Sequence, residues 1–235
     1  MKGICSGRFE PITKCIGFFD CDIDRLVTAL AAWQRRLALR HLDVVRTKPI
    51  TGTAEDALAA LQPLSLGKTR FLFVPTKSKW VAVFDNHYPY PDVSGELGYL
   101  CDKLSVIGIR ALLSEAPWYT YPACMLELIG PRTEERPSGY IRTFTAMNDG
   151  GDWVFEIEGE PQSFENPKYN NRPKPRDRFN ADILEEYLRK LGIEMFNESF
   201  FRWNESQLVY HVGVGNLFER GISLKKARKK LGLPT

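Results

Sequence analysis

The chain is poor in the residues that most often carry out chemistry. Of its 235 residues only three are histidine (His41, His87 and His211), so few side chains can exchange a proton near neutral pH. The five cysteines, Cys5, Cys15, Cys21, Cys101 and Cys124, are scattered without a CxxC pair. That spacing argues against zinc sites of the finger or ribbon type and reads as reduced thiols in a reducing compartment. No stretch approaches the roughly 20 consecutive apolar residues of a membrane-spanning helix, and the opening MKGICSGRFEPITKC lacks the apolar core of a signal peptide. A cytoplasmic protein is expected. The GxSxG, GxGxxG, P-loop, HExxH and kinase signatures are also missing. Neither a metal nor an organic cofactor is expected, and the chain reads as a non-enzyme.

Apolar and aromatic residues are plentiful, at 43% and 12% of the chain. Such content can bury a core large enough to offset chain entropy. The net charge of +3 is unevenly placed. Between residues 219 and 235 six cations face a single acid, which leaves the rest of the chain slightly negative.

Two segments read as one object written twice. Phe71–Asp85 and Phe144–Glu158 are each a short apolar run, a polar turn and a second run opened by a tryptophan, Trp80 or Trp153. Each leads to a helix with a similar closing phrase: Tyr99-Leu100, Leu104 and Gly108-Ile109 in the first, Tyr187-Leu188 and Leu191-Gly192-Ile193 in the second. Around them the pattern predicts a strand region over 7–19 kinked at Pro11. Amphipathic helices are predicted over 22–39 and after Thr53, and a further helix is capped by Asp92 or Ser94. Asn148-Asp149-Gly150-Gly151 is a hairpin turn, since Asn, Asp and Gly tolerate the positive φ that tight hairpins need. Asn180 caps a helix over 181–191. A closing hairpin is expected from 200–203 and 208–214, then a short basic helix over 223–231. The fold class is α+β: pseudo-duplicated hairpin-plus-helix units with a mixed or antiparallel sheet. The expected organisation is an N-terminal unit over 1–130, a related unit over 140–218 and a basic tail over 219–235, with one continuous domain as the alternative.

Three places stand out as candidate sites. Asp85, Asn86, His87, Tyr88 and Tyr90 sit on one predicted strand-to-helix loop, the kind of segment on which binding residues concentrate. Trp118 and Tyr121 belong to a proline-punctuated aromatic connector, and such residues anchor protein interfaces. These seven form the expected partner-contact set, with Tyr88→Ala together with Asp85→Ala expected to weaken a cognate complex and leave the fold intact. The loop 168–178 and the tail 225–230 are basic and could meet phosphate. The acidic balance of the body argues against nucleic acid and favours solvated charge.

From Arg142 to Phe196 the chain carries a longer phrase. It comprises Asn148-Asp149-Gly150-Gly151, Trp153-Val154-Phe155-Glu156, Gly159-Glu160-Pro161, Phe164-Glu165, Arg176-Asp177-Arg178-Phe179, Tyr187-Leu188 and Leu191-Gly192-Ile193. This resembles a group of bacterial proteins associated with secreted toxin systems, in which small cytosolic immunity proteins block a cognate effector. The resemblance covers about a quarter of the chain and rests on residues of structural type, so it implies a shared fold before a shared activity. The reading it favours is a protein-binding protein, specifically an immunity protein that neutralises a toxin by occlusion. The alternatives are a nucleic-acid-associated protein using 168–178 and 225–230, and an enzyme with a site near His87. Oligomeric state is not legible.

Overall fold

Nine segments pair into one antiparallel sheet in the computed structural model, which describes residues 3–38, 43–115, 119–213 and 221–234. In chain order the strands are β1 (Cys15–Asp20), β2 (Asp43–Ile50), β3 (Arg70–Pro75), β4 (Trp80–Asp85), β5 (Gly108–Ser114), β6 (Ala123–Ile129), β7 (Tyr140–Asn148), β8 (Trp153–Gly159) and β9 (Ser206–Gly213). Across the sheet they run β2-β9-β3-β4-β1-β5-β6-β7-β8, each antiparallel to its neighbours. The helices are α1 (Ile23–Ala38), α2 (Ala54–Ala59), α3 (Ser94–Leu104), α4 (Pro175–Arg178), α5 (Ala181–Lys190) and α6 (Leu224–Lys230).

Helices cover the middle of the sheet on both faces, which explains why β4 is buried along its whole length. On one face Phe19, Phe73 and Val83 pack beneath Leu26 and Leu30 of α1 and Leu97 and Leu100 of α3. On the other, Phe18, Leu72, Phe84, Leu126 and Phe144 pack with Leu58 of α2, Leu184 and Tyr187 of α5 and Ala227 of α6. Phe18 and Phe19 are neighbours in sequence and both fully buried, one in each core, because successive strand residues point to opposite faces. Burial of a ring of this size contributes roughly 1.5–3 kcal/mol. The sheet edges carry charge instead: Arg46 and Lys48 on β2, Glu156 and Glu158 on β8. Such residues discourage pairing with another chain.

Most local expectations are met. The Asp22 carboxylate accepts from the Asp24 and Arg25 amides at 2.9 and 3.3 Å at the start of α1. Thr53 and Asp56 cap α2 reciprocally, and Asn180 and Ser223 cap α5 and α6. Other expectations need correction. The chain before Cys15 is a short 3-10 turn (Ile4–Gly7) and further turns, not strand. Val93 holds the N-cap position of α3, while Asp92 accepts from the Ser94 amide just ahead of it. Residues 200–203 do not pair with β9: Phe200 and Trp203 belong to 3-10 turns, Glu198–Phe200 and Trp203–Glu205, Phe201 bridges Thr76, and β9 inserts between β2 and β3. A strand from the C-terminal half thus completes the N-terminal half, and both lie in one sheet.

The two hairpin-plus-helix units are present, yet their helices land on opposite faces. α3 packs in the core of α1, while α5 lies in the other. The tryptophans are not equivalent either. Trp80 is buried and donates its indole N–H to the Leu191 carbonyl at 2.8 Å, whereas Trp153 is half-buried at the sheet edge.

The residues of the 142–196 phrase hold this second unit together. Phe144 stacks on Phe179 at 5.2 Å, and Phe144 and Phe164 both meet Tyr187 edge-on at 5.4 Å. Gly159 has φ +82°, and a Cβ there would collide with the Ile141 carbonyl oxygen. Arg142 forms a two-pronged pair with Glu165 at 2.8 and 2.7 Å and donates to the Gly159 carbonyl, with both charged side chains nearly shut off from water. Removing one member of such a pair strands the other charge. Glu165→Ala should therefore lower the unfolding free energy by about 3–5 kcal/mol in urea titrations; a loss below about 1 kcal/mol would contradict a buried pair.

Candidate functional site

Strand order brings the two aromatic segments together. β1 lies between β4 and β5 and antiparallel to both, so the end of β4, the start of β1 and the end of β5 share one rim of the sheet. β6 starts and β7 ends at that same rim, with Ala123 opposite Met147. The loop after Asp85, the connector before Ala123 and the 148–151 turn therefore gather there. Tyr90 and Tyr121 are 49% and 57% exposed. The Tyr121 ring edge lies 3.4 Å from where a Cβ on Gly150 would sit. Trp118, the other expected anchor of the connector, lies outside the described residues.

Asp85 and Asn86 are wholly buried, so their side chains are not available to a partner, and Asp85→Ala should release the loop after β4 while leaving the sheet folded. Their role is to shape the loop. One Asp85 oxygen accepts from the His87 amide at 2.8 Å, the other from the Asp92 amide at 3.2 Å, so a single carboxylate holds both ends of the segment carrying Tyr90. Asn86 accepts from the Thr69 and Arg70 amides, both at 3.0 Å, and donates to the Pro63 carbonyl at 2.8 Å. His87 is half-buried, and its Nδ1 is 2.9 Å from the Tyr90 carbonyl, which can only accept; Nδ1 is thus the protonated nitrogen. Tyr88 is half-buried against the core.

Beneath the loop lies a charged lattice. Lys68 reaches Glu96 at 3.0 Å, Asp85 at 3.8 Å and the Asp92 carbonyl. Arg110 pairs with Glu127 at 3.0 Å, and its Nε lies 3.1 Å from Asp92 without aiming its N–H there, an ion pair and not a hydrogen bond. Burial pushes the Asp85 and Glu96 carboxyls up despite Lys68. Asp92 is also desolvated, yet Arg110 and the Ser94 amide hold it below the usual range.

Between the two loops is a hollow of about 220 Å³ lined by Lys14, Tyr90, Tyr119, Thr120 and Tyr121. The Lys14 ammonium rests against two ring faces, 4.7 Å from the Tyr90 centroid and 4.4 Å from that of Tyr119. Tyr119 donates its hydroxyl to buried Glu10. The Arg228 guanidinium, from α6, donates to the Gly7 and Glu10 carbonyls at 2.8 and 3.1 Å. Burial lowers the affinity of Lys14 for its proton. Burial likewise pushes Glu10 up to about 7, against the opposing pull of the Tyr119 hydroxyl, Lys14 and Arg228 and with a small push from Glu115. Lys14, Glu10 and Tyr119 escaped the expected contact set. The available signal was a cation at the mouth of an apolar strand, Thr13-Lys14-Cys15, but its pairing with the connector depends on strand order.

The basic segments are partly spent on structure. Arg172 lies over the Tyr169 ring at 4.3 Å and donates to the Asp177 carbonyl at 2.8 Å, and Arg178 donates to the Arg172 carbonyl at 2.7 Å. In the tail, Arg228 is anchored as above, while Lys225, Lys226, Lys229 and Lys230 are exposed. No group of metal-ligating side chains occurs among the described residues, nor any helix long and apolar enough to cross a membrane. No protein-family model matches the chain, and no curated protein or solved structure matches it significantly.

A carboxyl raised in the folded state holds its proton more tightly there than in the unfolded chain. Its contribution to stability therefore falls as pH climbs from about 4.5 to about 7 and is level above. Glu10→Gln keeps an acceptor for Tyr119 and removes the titration. Relative to wild type, the variant should gain about 3 kcal/mol of stability between pH 5 and pH 8. Urea unfolding at both pH values measures this, and identical pH dependence in the two proteins would contradict it.

Proposed function

We propose that this chain is a non-enzymatic protein-binding protein that meets its partner with the rim built by residues 86–93, 119–122 and 148–152, in the manner of an immunity protein that occludes a toxin. The observation that carries this reading is the convergence of Tyr90 and Tyr121, from loops about thirty residues apart, as the exposed aromatics of one rim. Tyrosine supplies large contact area at small rotamer cost. The Asp85 clamp presents Tyr90 on a segment already ordered, which reduces what binding must order. The hollow beside them offers an ammonium and ring faces, with the Tyr119 hydroxyl engaged by Glu10. A cytosolic setting accords with five free thiols, four of them buried.

The test is capture from the native host with the tagged chain, followed by titration against the retained protein. Wild type should hold a protein that is toxic when expressed alone. Tyr90→Ala with Tyr121→Ala should weaken the complex about 100-fold or more, while Val44→Ala on the distant edge strand β2 should not. Equal affinity of the double variant and wild type would contradict the assignment of this rim.

A further inference from the structure

Lys14 is unusual among the cations of this protein. It is 7% exposed, and among the described residues no carboxylate or other acceptor lies within ion-pair or hydrogen-bond reach of its ammonium. Arg110 and Arg142, the other buried cations among the described residues, each have a carboxylate partner, as does half-buried Lys68. Two ring faces stabilise the Lys14 charge, but a ring accepts no conventional hydrogen bond, and an ammonium has three donors to place. The hollow lined by Lys14 is the remaining space available to them.

We infer that this hollow is an anion subsite that takes the carboxylate of an aspartate or glutamate side chain from the bound protein, a conclusion that rests on the docking reading of the rim. A volume of about 220 Å³ accommodates a carboxylate and its methylenes. The exposed rings of Tyr90 and Tyr121 give the methylenes apolar walls. Carboxylate is preferred to phosphate on charge grounds. One ammonium balances one negative charge, and Glu10, behind Tyr119, opposes a second once it ionises. The Tyr119 hydroxyl donates to Glu10, so that residue offers the ligand its face and not its proton.

The subsite is testable on the isolated chain. With lysine ε-carbons labelled with carbon-13, the Lys14 signal, assigned by its loss in Lys14→Met, is followed by NMR during titration with acetyl-Gly-Asp-Gly-amide, its Asn counterpart, sodium acetate and inorganic phosphate. The Asp peptide should shift the signal saturably in the millimolar range. Acetate should do so more weakly, the Asn peptide not at all, and phosphate at least tenfold more weakly than the Asp peptide. Tyr90→Ala, which keeps the lysine and removes a wall, should weaken the Asp peptide at least fivefold. An unmoved Lys14 signal, an equal response to the Asn peptide, or tighter binding of phosphate would each overturn the assignment. Acetate binding as tightly as the peptide would also overturn it, because the site would then suit a free small acid. None of these readouts needs the partner, so a failed capture experiment leaves this one intact, and the reverse also holds.

Discussion

The buried Asp85 carboxylate is the contact on which the rim depends. It sits at the end of a strand that is apolar on both faces, where an ionisable group is costly unless its lone pairs are used. Here they are used on the amides of His87 and Asp92, which lie at the two ends of one loop. Asn86 does the same for the chain entering β3. Two adjacent polar side chains thus tie the 63–70 segment, the end of β4 and the loop bearing Tyr90 into one unit.

The charges beneath that unit fit the same scheme. Lys68 and Arg110 are surrounded by Asp85, Asp92, Glu96 and Glu127. An arrangement of this kind contributes little net stability compared with apolar packing, but it defines position, since displacing any member strands a charge. It links α3, β4, β5 and β6 beneath the rim. The second hairpin is supported differently, by a ring cluster and the Arg142–Glu165 pair on the opposite face.

Local features were readable from residue patterns because their causes are local. The start of α2 after Thr53, the 148–151 turn and the amphipathic stripe of α1 all follow from spacing within a few residues. What escaped was set by strand order. That β9 inserts between β2 and β3, and that 200–203 do not pair with it, depends on competition among strands of similar pattern. Burial of Asp85 and Asn86 was missed because their types suggest a solvated loop; only the convergence of four amides explains why they lie inside. Tyr90 and Tyr121 were visible as separate candidates, but their lining of one hollow with Lys14 required the neighbourhood of β1, β4 and β5. The duplicated phrase recorded two similar hairpins and was silent on which face each helix covers, since amphipathic stripes fit either face.

Hydrogen exchange at two amides tests the central claim most directly. If the Asp85 carboxylate fixes the loop, the His87 and Asp92 amides exchange slowly in the native protein. In Asp85→Ala both should approach the rate of an unstructured peptide, while the Phe18 amide in β1 stays slow. Fast exchange at both amides in the wild type, or unchanged protection in the variant, would contradict it.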